Sequence, residues 1–140
     1  MTGQRVPMLV RLGRIRDAVR SAQVAAASSA QLPVGSTRAA DIAYWSGLAA
    51  LADGRAADAA ANLQTAHRAL AEAMGPRHVR AALAQCALGV ALARSSSGTE
   101  ARVQLLAGCP PLARWGLADP TVVGWAARAI ASTLPGPSGR

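Results

Sequence analysis

The chain has 140 residues, of which 51% are hydrophobic and 3% aromatic with no Phe, and it carries a formal net charge of +8. That length holds one domain, and that apolar fraction supports a buried core, although much of it is alanine, which adds little area per residue and favours helices at close range. The scarcity of aromatic and β-branched residues excludes a sheet protein, so the expected fold class is all-α.

Residues 1–7 are expected to form a flexible leader, followed by a helix over 8–30 with Val10, Ile15, Val19 and Ala22 on one stripe. Gly13 bends or divides that helix. The stretch 31–37, with Pro33 and Gly35, is a loop that ends in a helix cap at Ser36 or Thr37. A second helix is predicted over 38–52 and a third over 56–74, joined at Asp53 and Gly54 and stopped by Gly75 and Pro76. Those two form a hairpin. A fourth helix over 78–93 ends at Ser95, Ser96, Ser97 and Gly98, and a fifth over 99–107 is broken by Gly108, Cys109, Pro110 and Pro111. Residues 112–117 add a short helical turn at most. Asp119 and Pro120 open a last helix that runs to about 133, and the tail 135–140, rich in Pro, Gly and Ser, is expected to be disordered. The reading is therefore about six helices within a domain over 8–134.

These elements repeat at an offset of 42 residues, which carries Gly47 onto Gly89, Ala59 onto Ala101, Leu63 onto Leu105 and Ala66 onto Gly108. A second step puts Leu88 on Ile130, Gly89 on Ala131 and Leu92 on Leu134, so the last apolar stretch reads as a third, incomplete copy. A fixed period of this size signals stacked supersecondary units that bury their apolar faces against neighbours. Such chains more often bind than catalyse.

With the hairpins placed, the repeat resembles the tetratricopeptide family in its long-repeat variety, typified by kinesin light chain. The small residue midway along helix A, the turn glycine and the small residues of helix B fall on Gly47, Gly54, Ala59 and Ala66, and the next copy offers Leu88, Gly89, Leu92 and Ala101. Gly75-Pro76-Arg77-His78 is similar to the Gly-x-x-His segment of that variety, and Gly13, Ile15 and Ala18 fit a lone helix B. Ala43 and Gln85 depart from it where a large residue is usual, as does Val79 where a proline is usual. The resemblance implies a fold of antiparallel helical-hairpin repeats, a tetratricopeptide-like α-solenoid, whose concave surface comes mainly from helix A. Carried over position by position, that groove comprises Asp41, Tyr44, Leu48 and Leu51, then Leu83, Cys86, Val90 and Arg94, then Trp125 and Arg128. It implies a protein or peptide partner, helical or extended and with an acidic flank, since aromatic and arginine anchors are what protein interfaces favour. Tyr44 and Trp125 have a second role open to them, filling core between neighbouring helices. Trp45 and Trp115 are expected to pack between units.

No constellation in the chain points to a reaction. His67 lies inside a predicted helix and His78 at a helix start, without a carboxylate or cysteine at a spacing that makes a triad or metal site, so capping or exposure is expected of them. Most of the seven acids sit at helix starts or turns, where they complement backbone N–H groups. Phosphate loops and nucleophile elbows are missing from the sequence. No catalysis, cofactor or metal is therefore expected.

All 15 basic residues are arginine, which a GC-rich coding genome explains, yet the charge is physical and attracts nucleic acid, anionic lipid or acidic protein alike. Arg5, Arg11, Arg14, Arg16 and Arg20 form the one cluster, read first as a solvated helix face. A helical-repeat RNA-binding protein is the alternative function, disfavoured by dispersed arginines and few stacking aromatics. Apolar runs are broken before the roughly 18 residues a membrane span needs, so no membrane partner is expected and the chain is assigned to the cytoplasm. Cys86 and Cys109 fall at one end of the last hairpin, where pairing is permitted, but in a reducing cytoplasm free thiols are expected, Cys86 half-buried and Cys109 in a Pro-Pro loop. The leading expectation is a non-catalytic interaction module in a larger regulatory or biosynthetic assembly, with a second copy of itself among its possible partners.

Overall fold

The computed structural model describes residues 5–33, 36–95, 98–115 and 120–133. These form seven helices, and no strand occurs among them: α1 (Val6–Arg11), α2 (Ile15–Ser29), α3 (Thr37–Ala52), α4 (Ala56–Met74), α5 (Val79–Ser95), α6 (Gly98–Trp115) and α7 (Pro120–Thr133). Local chemistry sets their limits. The Ala39 N–H donates to Ser36 Oγ at 3.1 Å and caps α3. Arg55 bridges Asp53 at 2.9 Å and Asp58 at 3.3 Å across the turn into α4, and the Arg80 N–H donates to His78 Nδ1 at 3.1 Å where α5 begins. His78 thus does the capping expected of it.

The seventh helix is a correction to the expected six. Gly13, at φ +75°, divides the first predicted helix, because a left-handed residue ends an α-helix and glycine alone adopts it without steric penalty. The N–H of Arg14 donates to the Leu9 carbonyl at 2.9 Å and that of Gly13 to Val10 at 3.1 Å, closing α1 on itself. The leader is corrected with it, since Val6 and Pro7 belong to α1 and Val6 is completely buried. Residues 1–4 and the tail 135–140 lie outside the described residues.

The fifth predicted helix is also longer than expected, because α6 continues through Pro110 and Pro111 to Trp115. The carbonyls that lose their donors to the two prolines belong to Leu106 and Ala107, which face solvent. On the other side Leu112 is buried and Cys109 is bonded to Cys86, so the inner face holds the helix on course.

The 42-residue register reappears as equivalent packing. Gly47 of α3 faces Leu63 of α4, and Gly89 of α5 faces Leu105 of α6, with a Cβ at either glycine meeting the leucine within 2.5 to 2.7 Å. Ala59 and Ala101, the next pair in register, are both fully buried. Gly108 meets Cys86, Gln85 and Ala82 in the order opposite to Gly89 and Leu105, so α5 and α6 run antiparallel. Each helix from α2 to α7 packs on its neighbours in sequence; α3 and α7 both touch α5, whereas α2, α4 and α6 do not touch one another. The helices α3, α5 and α7 thus follow one another in contact, and on that row lies α1, against α3 and α7 and also against α2.

The larger of two buried clusters joins Val6 and Val10 of α1 to Leu48, Leu51, Leu63, Val90, Leu105, Leu112 and Val122, and the smaller gathers Ala40, Ala66, Leu70, Ala81 and Ala84. No helix of the described residues is long and apolar enough to cross a membrane.

Candidate partner-binding face

The row α3, α5 and α7 carries all ten residues assigned to the groove, and the structure divides them into three groups. Asp41, Tyr44 and Leu83 meet at one end, lining a recess of about 250 Å³ with Trp45, Leu70 and Arg80. Arg80 of α5 forms an ion pair with Asp41 of α3, both partly exposed, and also donates to Met74 Sδ at 3.8 Å. This pair ties α3 and α5 together near their N-terminal ends. Tyr44 forms the wall of the recess and is half-buried.

Arg94, Trp125 and Arg128 gather at the other end, roughly 15 Å along the helix axes at 1.5 Å per residue. The Arg94 guanidinium lies 5.3 Å from the centre of the Trp125 ring and donates to the Leu51 carbonyl at 3.4 Å. Burial, and next the charge of Arg128, push it below the ordinary arginine value, although arginine stays protonated at neutral pH. Among the described residues neither Arg94 nor Arg128 has a carboxylate partner. Arg94 thus lies over the indole face with a second cation, Arg128, near enough to repel it.

The middle four positions are not groove. Leu48, Leu51, Cys86 and Val90 are at most 2% exposed and belong to the core. For Leu48, Leu51 and Val90 the physical reason is α1, whose Val6 and Val10 pack into the same cluster. Cys86 turns instead toward α6 and is bonded to Cys109, with the two Cα atoms 4.8 Å apart. Free thiols and a half-buried Cys86 were the expectation, and both are corrected. Gly108 explains the closeness, as a Cβ there would stand 2.6 Å from the Cys86 backbone nitrogen.

Arg80 and Trp45 were not among the expected site residues. The signal for Arg80 lay in the repeat: it stands 42 residues after Arg38, whose guanidinium lies 5.7 Å from the Trp45 ring. His67 is half-buried on α4 and lines a recess of about 380 Å³ with Arg68, Glu72, Glu100 and Gln104 and with Leu88 of α5, and none of the ten expected groove residues lines it. The Trp115 side chain lies outside the described residues, as do Asp119 and Leu134.

No protein-family model, curated protein or solved structure matches this chain.

Proposed function

We propose that the chain is a non-catalytic protein-interaction module, a short tetratricopeptide-like α-solenoid whose α3, α5 and α7 row binds a helical or extended peptide with an acidic flank. The observation that carries this reading is the repeated packing of Gly47 on Leu63 and Gly89 on Leu105, since hairpins built this way set α3, α5 and α7 side by side, with the two ends of that row open to a partner on either side of α1. Its chemistry is divided between the ends. The Asp41, Tyr44 and Leu83 recess takes an apolar side chain, and Arg94 with Arg128 takes a carboxylate. Service in a larger regulatory or biosynthetic assembly fits a chain of this kind.

The test is capture of partners by the wild-type chain, Tyr44→Ala and Arg128→Glu, with light scattering to record mass. Both variants should weaken association and leave helicity nearly unchanged, because each side chain is partly or wholly exposed. Equal capture by all three, or retention that follows nucleic acid and disappears with salt, contradicts the reading. We assign the module to the cytoplasm; alkylation before lysis tests this, and a Cys86–Cys109 bond intact in cells would place it in an oxidising compartment instead.

A further inference from the structure

The inner row is covered in part by the chain's own α1, the shortest helix of the described residues, which is held there by apolar contact. It is six residues long, and its burial rests on Val6 and Val10, with Leu9 half-buried beside them. Among the described residues no side-chain hydrogen bond or ion pair ties it to the rest of the fold. Its backbone bonds close within itself, and Leu12, Gly13 and Arg14 are its covalent link to α2, on which it also packs. A helical stripe nevertheless runs through that joint in the sequence, from Val10 to Ile15, Val19 and Ala22. The segment is therefore compatible with two states, a broken helix folded back on its own core or one continuous helix from α1 through α2.

Straightening has a geometric consequence. If α1 continues along the axis of α2, it no longer reaches α3 and α7 of its own chain, and the seat for Val6 and Val10 is left open. A second copy holds an identical segment. We propose that the chain dimerises by exchanging α1, each copy inserting Val6 and Val10 between α3 and α7 of the other. The exchanged contacts are those already seen within one chain, so no new complementarity is required.

A feature otherwise without purpose supports this occupant. Met8 and Leu12 are 64% and 63% exposed, among the most exposed large apolar residues of the molecule, and they share the face of α1 opposite Val6 and Val10. In an exchanged dimer the two connecting helices cross side by side, and these residues meet their copies there. Arg5 and Arg11 flank the same stripe, so the crossing leaves the apolar pairs inside and the guanidinium groups at the rim. The inference shares its face with the proposed peptide site but not its ligand, so capture of peptides can fail while exchange holds, and the reverse.

Light scattering on size-exclusion fractions over a range of concentrations tests it with the full chain and two variants. Gly13→Ala removes the residue that favours the break and adds a helix former, at a site where a Cβ meets nothing within 4 Å. It should strengthen dimerisation about tenfold or more, because both copies gain the continuous helix. Val10→Asp should abolish the dimer, as a carboxylate cannot occupy the apolar seat in either copy. Should Val10→Asp fail to fold, hydrogen exchange on the wild-type chain decides: α1 amides must open well before those of α5, independently of global unfolding. A monomeric Gly13→Ala, a Val10→Asp dimer as strong as wild type, or α1 amides that exchange only with global unfolding would each overturn the proposal.

Discussion

Replacing Gly89 by alanine adds one methyl group, and the structure fixes what it meets. The new Cβ would stand 2.7 Å from Leu105 Cγ and 2.8 Å from the Leu105 backbone nitrogen, inside the distance at which carbon atoms coexist. A side chain can turn away, but a backbone nitrogen moves only with its helix, so the α5 and α6 pair must open. Overpacking costs about 1 to 3 kcal/mol, and the better helix propensity of alanine returns up to about 1 kcal/mol. The net loss is about 1 to 2 kcal/mol, or about 3 to 7 °C in Tm for a chain of this size. Gly108→Ala should cost more, since its Cβ meets the Cys86 nitrogen at 2.6 Å and the Ala82 carbonyl at 3.0 Å, beside a disulfide that holds the helices together. Gly47→Ala should cost less than either, because all three contacts are side-chain atoms of Leu63. Gly124 is the control: its nearest contact is an Arg128 nitrogen at 3.9 Å, and alanine there should raise stability by up to about 1 kcal/mol. Thermal melts followed by far-UV circular dichroism rank the four under oxidising conditions. Wild-type or higher Tm for Gly89→Ala and Gly108→Ala would refute the close helix approach from which the repeat is argued.

Reduction of Cys86–Cys109, which closes a loop with a sequence separation of 23, should lower stability by about 3 kcal/mol, measured as the fall in Tm on adding reductant. A Cys109→Ser variant that matches the oxidised chain would contradict this. Burial holds the His67 imidazole below its ordinary 6.5, so the unfolded chain takes up its proton first; stability is full above that pH and is lost as pH falls. Wild type should therefore lose more Tm than His67→Gln between about pH 7.5 and pH 5, and equal losses would remove burial of His67 as the cause. Asp41→Asn breaks the ion pair with Arg80 and should cost about 1 kcal/mol or less at low salt, with the difference from wild type shrinking in concentrated salt.

How far the sequence could be read depended on whether the cause was local. Ser36, Gly54 and Gly75 mark the ends of α3 and α4 through their own backbone chemistry, and they were legible. So was the register, because Gly47 and Gly89 each stand where a leucine from the next helix enters. The proline rule misled at Pro110 and Pro111, where solvent-facing carbonyls and a pinned inner face outweigh a local preference. Val6 looked like leader because its burial depends on α3 and α7, distant in sequence. The same missing contact turned Leu48, Leu51 and Val90 from expected groove into core, while Asp41, Tyr44 and Leu83, assigned to the groove through the family resemblance, line one recess. The Cys86–Cys109 bond depended on Gly108, whose role is visible only once α5 and α6 are side by side.

The central claim is that the row α3, α5 and α7 meets a protein partner, and photo-crosslinking from that row tests it most directly. A photoreactive phenylalanine derivative placed at Tyr44, and in a second chain at Thr65 on the exposed side of α4, is activated in cells and the adducts are mapped by mass spectrometry. The account predicts a protein adduct from position 44, carrying acidic residues near the linked site, that is absent from position 65 and lost when Arg128→Glu is added. Equal labelling from both positions, or no protein adduct at position 44, would contradict it.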